Sequence, residues 1–225
     1  MNIRSLAVCA AFMLAPVLGW AQDFDFQAVM AAGTTATLSF DAGYEQSKGS
    51  QIPLYFTIQV PIADGLMQAK SITTKPGHYT DLTFLTPGGA LVEKLELRQA
   101  TMGLGSEEER MQWVADMIQN EAFPMLTESI EGIRLLEVRK SHAGPYSAVE
   151  LIAVYTHETL GEVGFRIMGI FPPAGENLLF GISHTLIQHI PLDNYDDFAA
   201  TMAGTTLNSL HFSAARGPDG GLSSF

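Results

Sequence analysis

The sequence predicts an α+β domain, a central and mainly antiparallel sheet flanked by helices in an α/β/α layering. Three observations carry this. Four strand-length segments follow one another between Ile133 and Ile187, joined by links too short for a parallel crossover. Their apolar residues alternate with a period of two, the pattern of strands that bury one face. Two segments with helical apolar spacing interrupt the strands, and each needs a sheet face to cover.

Residues 22–34 (QDFDFQAVMAAGT) form a mixed opening segment, a short helix or a loosely held arm. Thr35–Phe40 reads as a strand. In the next strand Leu54, Phe56, Ile58 and Val60 alternate with Tyr55, Thr57 and Gln59. Leu82–Thr86 and Leu91–Arg98 are the arms of a hairpin, and Pro87, Gly88 and Gly89 supply its turn. Leu91, Leu95 and Leu97 face a core; Lys94, Glu96 and Arg98 face water.

Ser106 followed by Glu107, Glu108 and Glu109 marks a helix start with capping-box spacing. The three acids sit at the positive end of the helix dipole, which accounts for them without a bound cation. Met111, Val114, Ala115, Ile118 and Ala122 recur at helical spacing, and Pro124 is expected to end the run.

The four successive strands are Ile133–Lys140, Ser147–Thr156, Val163–Phe171 and Leu178–Ile187. One face of the last three holds Val149, Leu151, Ala153 and Tyr155; Val163, Phe165, Ile167 and Phe171; Leu178, Phe180, Ile182 and Leu186. Arg166, Met168 and Ile170 make the second face of the Val163 strand largely apolar as well, so both sides are expected to be covered. Asp193–Asn208 is a helix capped by Asp193 or Asn194, and Ser209–Phe212 a short strand. No internal repeat or linker divides the body. Residues 1–21 are assigned to a leader, 22–213 to one domain, and 214–225 to a flexible tail rich in Gly, Pro and Ser.

The leader has the three parts of a secretory signal: Arg4 as its one charge, an apolar run from Leu6 to Leu18, and small residues Gly19 and Ala21 before a cut after Ala21. The run is shorter than the roughly 20 residues of a membrane span and contains Pro16. Cleavage removes Cys9, the single cysteine, so the mature chain has no disulfide and no thiolate site. It also removes one of 12 Lys and Arg while all 24 Asp and Glu remain, which takes the formal charge from −12 to −13. Such a field repels nucleic acid and anionic membrane surfaces. With 47% hydrophobic and 16% charged residues the chain is globular, and about 200 residues bury a core that needs no disulfide.

The strands Ser147–Thr156, Val163–Phe171 and Leu178–Ile187, the acidic helix start with Asp196, Asp197 and Phe198, and the closing Leu207-Asn208-Ser209-Leu210-His211-Phe212 carry a resemblance. From Ala143 to Phe212 the chain resembles the PsbP-like group, which includes Mog-type Ran-binding proteins and periplasmic DcrB-like proteins. The resemblance implies a central antiparallel sheet between helices. It also implies an accessory or binding role, since the group is mostly non-enzymatic. Its motifs concern packing, so no functional residue follows from it.

Among residues that carry chemistry, a metal site is weighed first. If the Pro172–Gly175 turn pairs Phe171 with Glu176, the same register sets His189 opposite Glu158, beside His157. His157, Glu158 and His189 then converge as imidazole and carboxylate ligands of the kind zinc takes. Their spacing matches no metal signature, and edge histidines in loops are the preferred reading. Gly181-Ile182-Ser183-His184 lacks the final glycine of a serine elbow, and adjacent strand residues point to opposite faces. Gly103-Leu104-Gly105 before a helix would cradle an anion, but three glutamates follow it. Terminal Phe225 follows Gly220 and Gly221 with no strand pattern, unlike the last strand of an outer-membrane barrel. Of ten methionines, Met1 and Met13 lie in the leader; Met102, Met111, Met117, Met125 and Met168 are core fill or an adaptable apolar surface.

The leading expectation is an exported, non-catalytic binding or accessory protein of the periplasm or another extracytoplasmic space. It uses no cofactor, binds no nucleic acid and does not span the membrane, and it engages an envelope protein or an apolar ligand on a concave or apolar sheet surface. The alternative is a small metal-assisted hydrolase built on His157, Glu158 and His189.

Overall fold

The computed structural model describes residues 24–72, 77–103, 105–217 and 220–225, so the leader at 1–21 lies outside the described residues. Seven strands build the central sheet, in the order β3-β4-β5-β9-β8-β7-β6, and every neighbouring pair is antiparallel. They are β3 (Met67–Ile72), β4 (His78–Leu85), β5 (Leu91–Thr101), β6 (Arg134–Ala143), β7 (Tyr146–His157), β8 (Gly161–Ile170) and β9 (Asn177–Leu186). A second sheet, β1-β2-β10-β11, joins Thr35–Phe40, Leu54–Pro61, His211–Arg216 and Leu222–Ser224. The chain is thus α+β with a central antiparallel sheet. One of its covering layers contains strands as well as helices.

Helix α3 (Glu107–Met117) begins at the expected capping box: Ser106 Oγ accepts from Glu109 N, and Glu109 Oε2 accepts from Ser106 N. Pro124 does not end the helix. A π-helical turn over Ile118–Ala122 leads into α4 (Phe123–Thr127), where the proline occupies the first turn. The proline lies just after the π turn, and its missing N–H leaves one bond of the continuous helix unmade. Val114 and Ile118 press onto Gly169, where an added Cβ would lie 2.8 Å from Val114 Cγ1. Around them pack Val149, Leu151, Ala153, Phe165, Ile167, Phe171, Leu178, Phe180 and Ile182. This is the face that the strand alternation predicts.

The other side of the sheet packs on β1, β2 and β10, with α5 (Met202–Asn208) beside them. Phe40, Phe56 and Tyr79 form its aromatic centre: Phe40 stacks on Phe56 with centroids 4.5 Å apart, and Tyr79 meets Phe56 edge-on at 4.9 Å. The Tyr79 hydroxyl bonds both N and O of Leu54 at 3.2 Å, fastening one sheet to the other. Met168 and Ile170 are buried here, so both faces of β8 are covered as expected.

The opening segment holds a short helix, one of its two expected states, while a further short helix and strands β3 and β11 escape the sequence reading. Helix α1 (Phe26–Ala31), within the opening segment, starts at Asp25; α2 (Ala42–Lys48) starts at Asp41 and closes on left-handed Gly49. The cap residues at 41 and 49 were a legible signal. The expected helix Asp193–Asn208 is divided. A 3₁₀ turn, Tyr195–Ala199, starts at Asn194, and Thr201 caps α5 separately by accepting from Gly204 N. The segment from Ala214 was expected to be a tail. Instead β10 runs to Arg216, and β11 pairs back on it with Ala214 opposite Ser224. Left-handed Gly220 helps turn the chain between them.

Candidate functional site

Cross-strand neighbours share a face, so the register fixes what lies beside the helix-covered core. On β5, Lys94 opposes His184, Glu96 opposes Ile182, and Arg98 opposes Phe180. Toward the edge, Thr83 opposes Lys94 and Asp81 opposes Glu96; Ala69 and Ser71 of β3 follow. The face that is apolar from β6 to β9 meets β5 at Ala100 and turns polar over Lys94, Glu96, Arg98 and Asp81. Side chains there keep partial exposure: 13% for Glu96, 17% for Lys94, 27% for Asp81 and 29% for Arg98.

This polar shelf is held in fixed pairs. Lys94 Nζ donates to Glu96 Oε1 at 2.7 Å, and Arg98 pairs with Glu96 Oε2 through Nε at 3.0 Å and through a second nitrogen. Burial raises the Glu96 pKa, but the two cations outweigh it and hold the carboxyl down at about 2. His78 Nε2 lies 2.9 Å from Asp81 Oδ1. At the inner boundary the His184 Nδ1 is 3.1 Å from the Tyr155 hydroxyl. Burial pushes His184 down to about 4, with Glu96 opposing and Lys94 adding to the shift, and burial raises Tyr155 to about 12.

His157, Glu158 and His189 are not brought together. β8 pairs with β9 through Ile170–Leu179 and Val163–Leu186, a register two residues away from the one that sets His189 against Glu158. The link between β8 and β9 runs from Phe171 to Glu176, longer than a tight turn on Pro172–Gly175. Past Leu186 the chain coils, with His189 N and Ile190 N both donating to Leu186 O. His157 Nδ1 accepts from Thr159 N and Leu160 N and so closes its own turn. Glu158 is exposed in that turn, and His189 packs edge-on against Phe24.

Among the described residues, the group of three donors within 4.8 Å of one another is His78, Asp81 and Glu96. One imidazole and two carboxylates are a fair donor set for a cation. Lys94 and Arg98, however, already neutralise the charge it would use. Sequence reading had assigned Lys94, Glu96 and Arg98 to the solvent side. The Lys-Leu-Glu-Leu-Arg alternation at 94–98 was the available signal for an ordered charged row.

A second polar system lies on the opposite face. Glu150 accepts from Arg139 Nε at 2.7 Å and Arg166 Nε at 2.6 Å, and Arg139 reaches on to Asp196 at 2.9 Å. Fully buried Glu93 accepts from Thr185 Oγ1 at 2.6 Å and Ala203 N at 2.8 Å, which ties β5 and β9 to the start of α5. Burial raises its pKa. These groups bind elements together, and Glu93, Glu150, Arg166 and Thr185 are closed to solvent.

The shelf is polar, whereas an apolar or concave binding surface had been expected. The reason is that α3 and α4 occupy the apolar half of the face. Two clefts elsewhere hold about 280 and 200 Å³, below the roughly 300 Å³ at which drug-sized ligand pockets begin. No helix among the described residues is long and apolar enough to cross a membrane.

No protein-family model and no curated protein matches the chain. Among solved structures, similar ones include LpqN of Mycobacterium tuberculosis, described as involved in cell envelope biogenesis. It is 12% identical with a TM-score of 0.46, over 85% of this chain and 98% of that one. Cyanobacterial PsbP from Synechocystis sp. PCC 6803 is 10% identical with a TM-score of 0.46, over 80% and 94%. The Ran-binding protein Mog1p of Saccharomyces cerevisiae is 9% identical with a TM-score of 0.40, over 79% and 95%. No site residue is carried across from any of them.

Proposed function

We propose that this is an exported, non-catalytic accessory protein of the cell envelope that engages a protein partner through the polar shelf of β3–β5. The observation that carries the reading is the Lys94–Glu96–Arg98 row beside Asp81. Its charges are fixed by mutual pairing and sum to zero on a molecule of formal charge −12. Side chains already held in place lose little freedom on association, and a locally neutral patch escapes the repulsion that the rest of the surface exerts on acidic partners. The leader supports export, and an accessory role agrees with what the family resemblance implies.

The test is site-directed photo-crosslinking in the native envelope, from Thr83 on the shelf and from exposed Thr37 on β1. A discrete adduct from Thr83, absent from Thr37 and lost on Glu96→Arg, supports the reading. Equal labelling from both positions, or none from Thr83, overturns it. N-terminal sequencing of the same material is expected to begin at Gln22.

A further inference from the structure

Helix α3 opens on three acids and a cation, Glu107, Glu108, Glu109 and Arg110. Each acid has a partner elsewhere. Glu107 Oε1 accepts from Ser147 Oγ at 2.7 Å, Glu108 pairs with Lys140 Nζ at 2.9 Å, and Glu109 closes the capping box on Ser106. Arg110 is left without one: no carboxylate among the described residues forms an ion pair with it. Its Nη2 is buried with no hydrogen-bond partner, while the residue as a whole is half-buried and its Nε and Nη1 are not closed off. Burial lowers its pKa, and the nearby Glu107 charge opposes the shift. A partly desolvated guanidinium without a counter-charge is costly, and this chain has acids in excess to supply one.

The cation is also held in place. Its guanidinium carbon lies 5.4 Å from the ring centroid of Phe171, which is 6% exposed. Stacking on a buried ring fixes the plane of the fork before any partner arrives. Trp113 follows at i+3, a position whose side chain neighbours that of Arg110 on a helix surface. It is 43% exposed, and half-buried Met117 continues the ridge one turn along. Arg, Trp and Met are enriched at protein interfaces, where an ion pair gains from apolar contacts that exclude water.

Taking the chain as a partner-binding accessory protein, we propose that the ridge of Arg110, Trp113 and Met117 docks a partner segment with one carboxylate beside a large apolar side chain. The carboxylate lies on Arg110, and the apolar side chain covers Trp113. One unpaired guanidinium admits one carboxylate, and the excess of acids on the molecule repels a segment that carries several.

Removal of the leader takes Trp20 with it, so Trp113 is the single tryptophan of the mature chain and its fluorescence reports on this ridge alone. The test is titration of the mature protein with the blocked tripeptide acetyl-Leu-Glu-Leu-amide and its Gln counterpart. The Glu peptide is expected to give a saturable blue shift with a Kd on the order of 1 mM that weakens as salt is raised. The Gln peptide is expected to bind several-fold more weakly. Arg110→Gln is expected to lose about tenfold in affinity, and Arg110→Lys several-fold, because an ammonium does not reproduce the stacked fork. Arg134→Gln removes an exposed cation on β6 and leaves binding unchanged. Trp113→Ala, read by calorimetry, serves if the Arg110 variants do not fold, since the indole is exposed, and it too is expected to lose binding. No saturable response at about 10 mM, equal binding of the two peptides, or equal losses in Arg110→Gln and Arg134→Gln overturns the proposal, as does unchanged binding in Trp113→Ala. A blue shift that grows with protein concentration alone, with a dimer in size exclusion, assigns the ridge to a second copy and overturns it as well. Crosslinking from Thr83 reads the shelf separately, so either surface can fail while the other stands.

Discussion

Phe165 and His184 face each other across β8 and β9 with ring centroids 4.9 Å apart, on the line where the helix-covered core gives way to the polar shelf. Phe123 packs on the far side of Phe165, and Lys94 stands on the far side of His184. The imidazole therefore has an apolar wall on one flank and a cation on the other, and both disfavour its protonation.

The consequence is a pH dependence of stability. The folded His184 titrates near 4 and the unfolded one near 6.5, so the unfolded chain binds the proton more readily. The stabilisation is complete above about pH 6.5 and is lost as pH falls through about 4. Denaturant midpoints measured between these values are expected to fall for the natural protein and to fall less for His184→Phe. Parallel curves would show that the slope has another origin.

Glu150 lies between two guanidinium groups, one of them on Arg166, which is 3% exposed. Glu150→Leu strands the Arg166 guanidinium, while Arg139 keeps Asp196, and is expected to cost about 3–5 kcal/mol. The double variant Glu150→Leu, Arg166→Met removes the stranded charge as well as its partner and is expected to recover part of that loss. Urea unfolding of the two variants checks the order, and a double variant no better than the single one refutes the account.

Glu93 holds the first turn of α5 through Ala203 N. Glu93→Leu leaves that amide and the Thr185 hydroxyl without acceptors, at a cost of about 1–3 kcal/mol for each buried group. Hydrogen exchange at Ala203 and Gly204 is expected to accelerate more than at Leu95 in the centre of β5. Uniform acceleration would mean that α5 is not singled out.

Gly181 gives Leu207 its place: an added Cβ would lie 2.7 Å from Leu207 Cδ1. Gly181→Ala is expected to lower stability by about 1–3 kcal/mol, because α5 must retreat from the sheet. Gly103→Ala meets nothing within 4 Å and is the control, with a change of roughly half a kcal/mol or less. Thermal unfolding separates the two.

What the sequence determined is what short-range pattern encodes. The period-two faces of β7, β8 and β9, the capping box at Ser106 and the hairpin glycines are set by residues a few positions apart, and each reappears in the structure. The fold class followed, because one-sided strands with short links leave few arrangements. The second sheet depended on tertiary structure, since β10 finds β2 from about 150 residues away in the chain, where no local spacing signals the pairing. The register that separates His189 from Glu158 was settled by the length of one loop, and a shift of two residues preserves every alternation, so pattern could not detect it. The covered face that holds Arg166 was legible, but the pairings that bury Glu93, Glu150 and Arg166 depend on the layers that close over them. The shelf follows the same logic. Its Lys94–Glu96–Arg98 row is written in the sequence, but its partial exposure depends on where α3 and α4 stop covering the sheet.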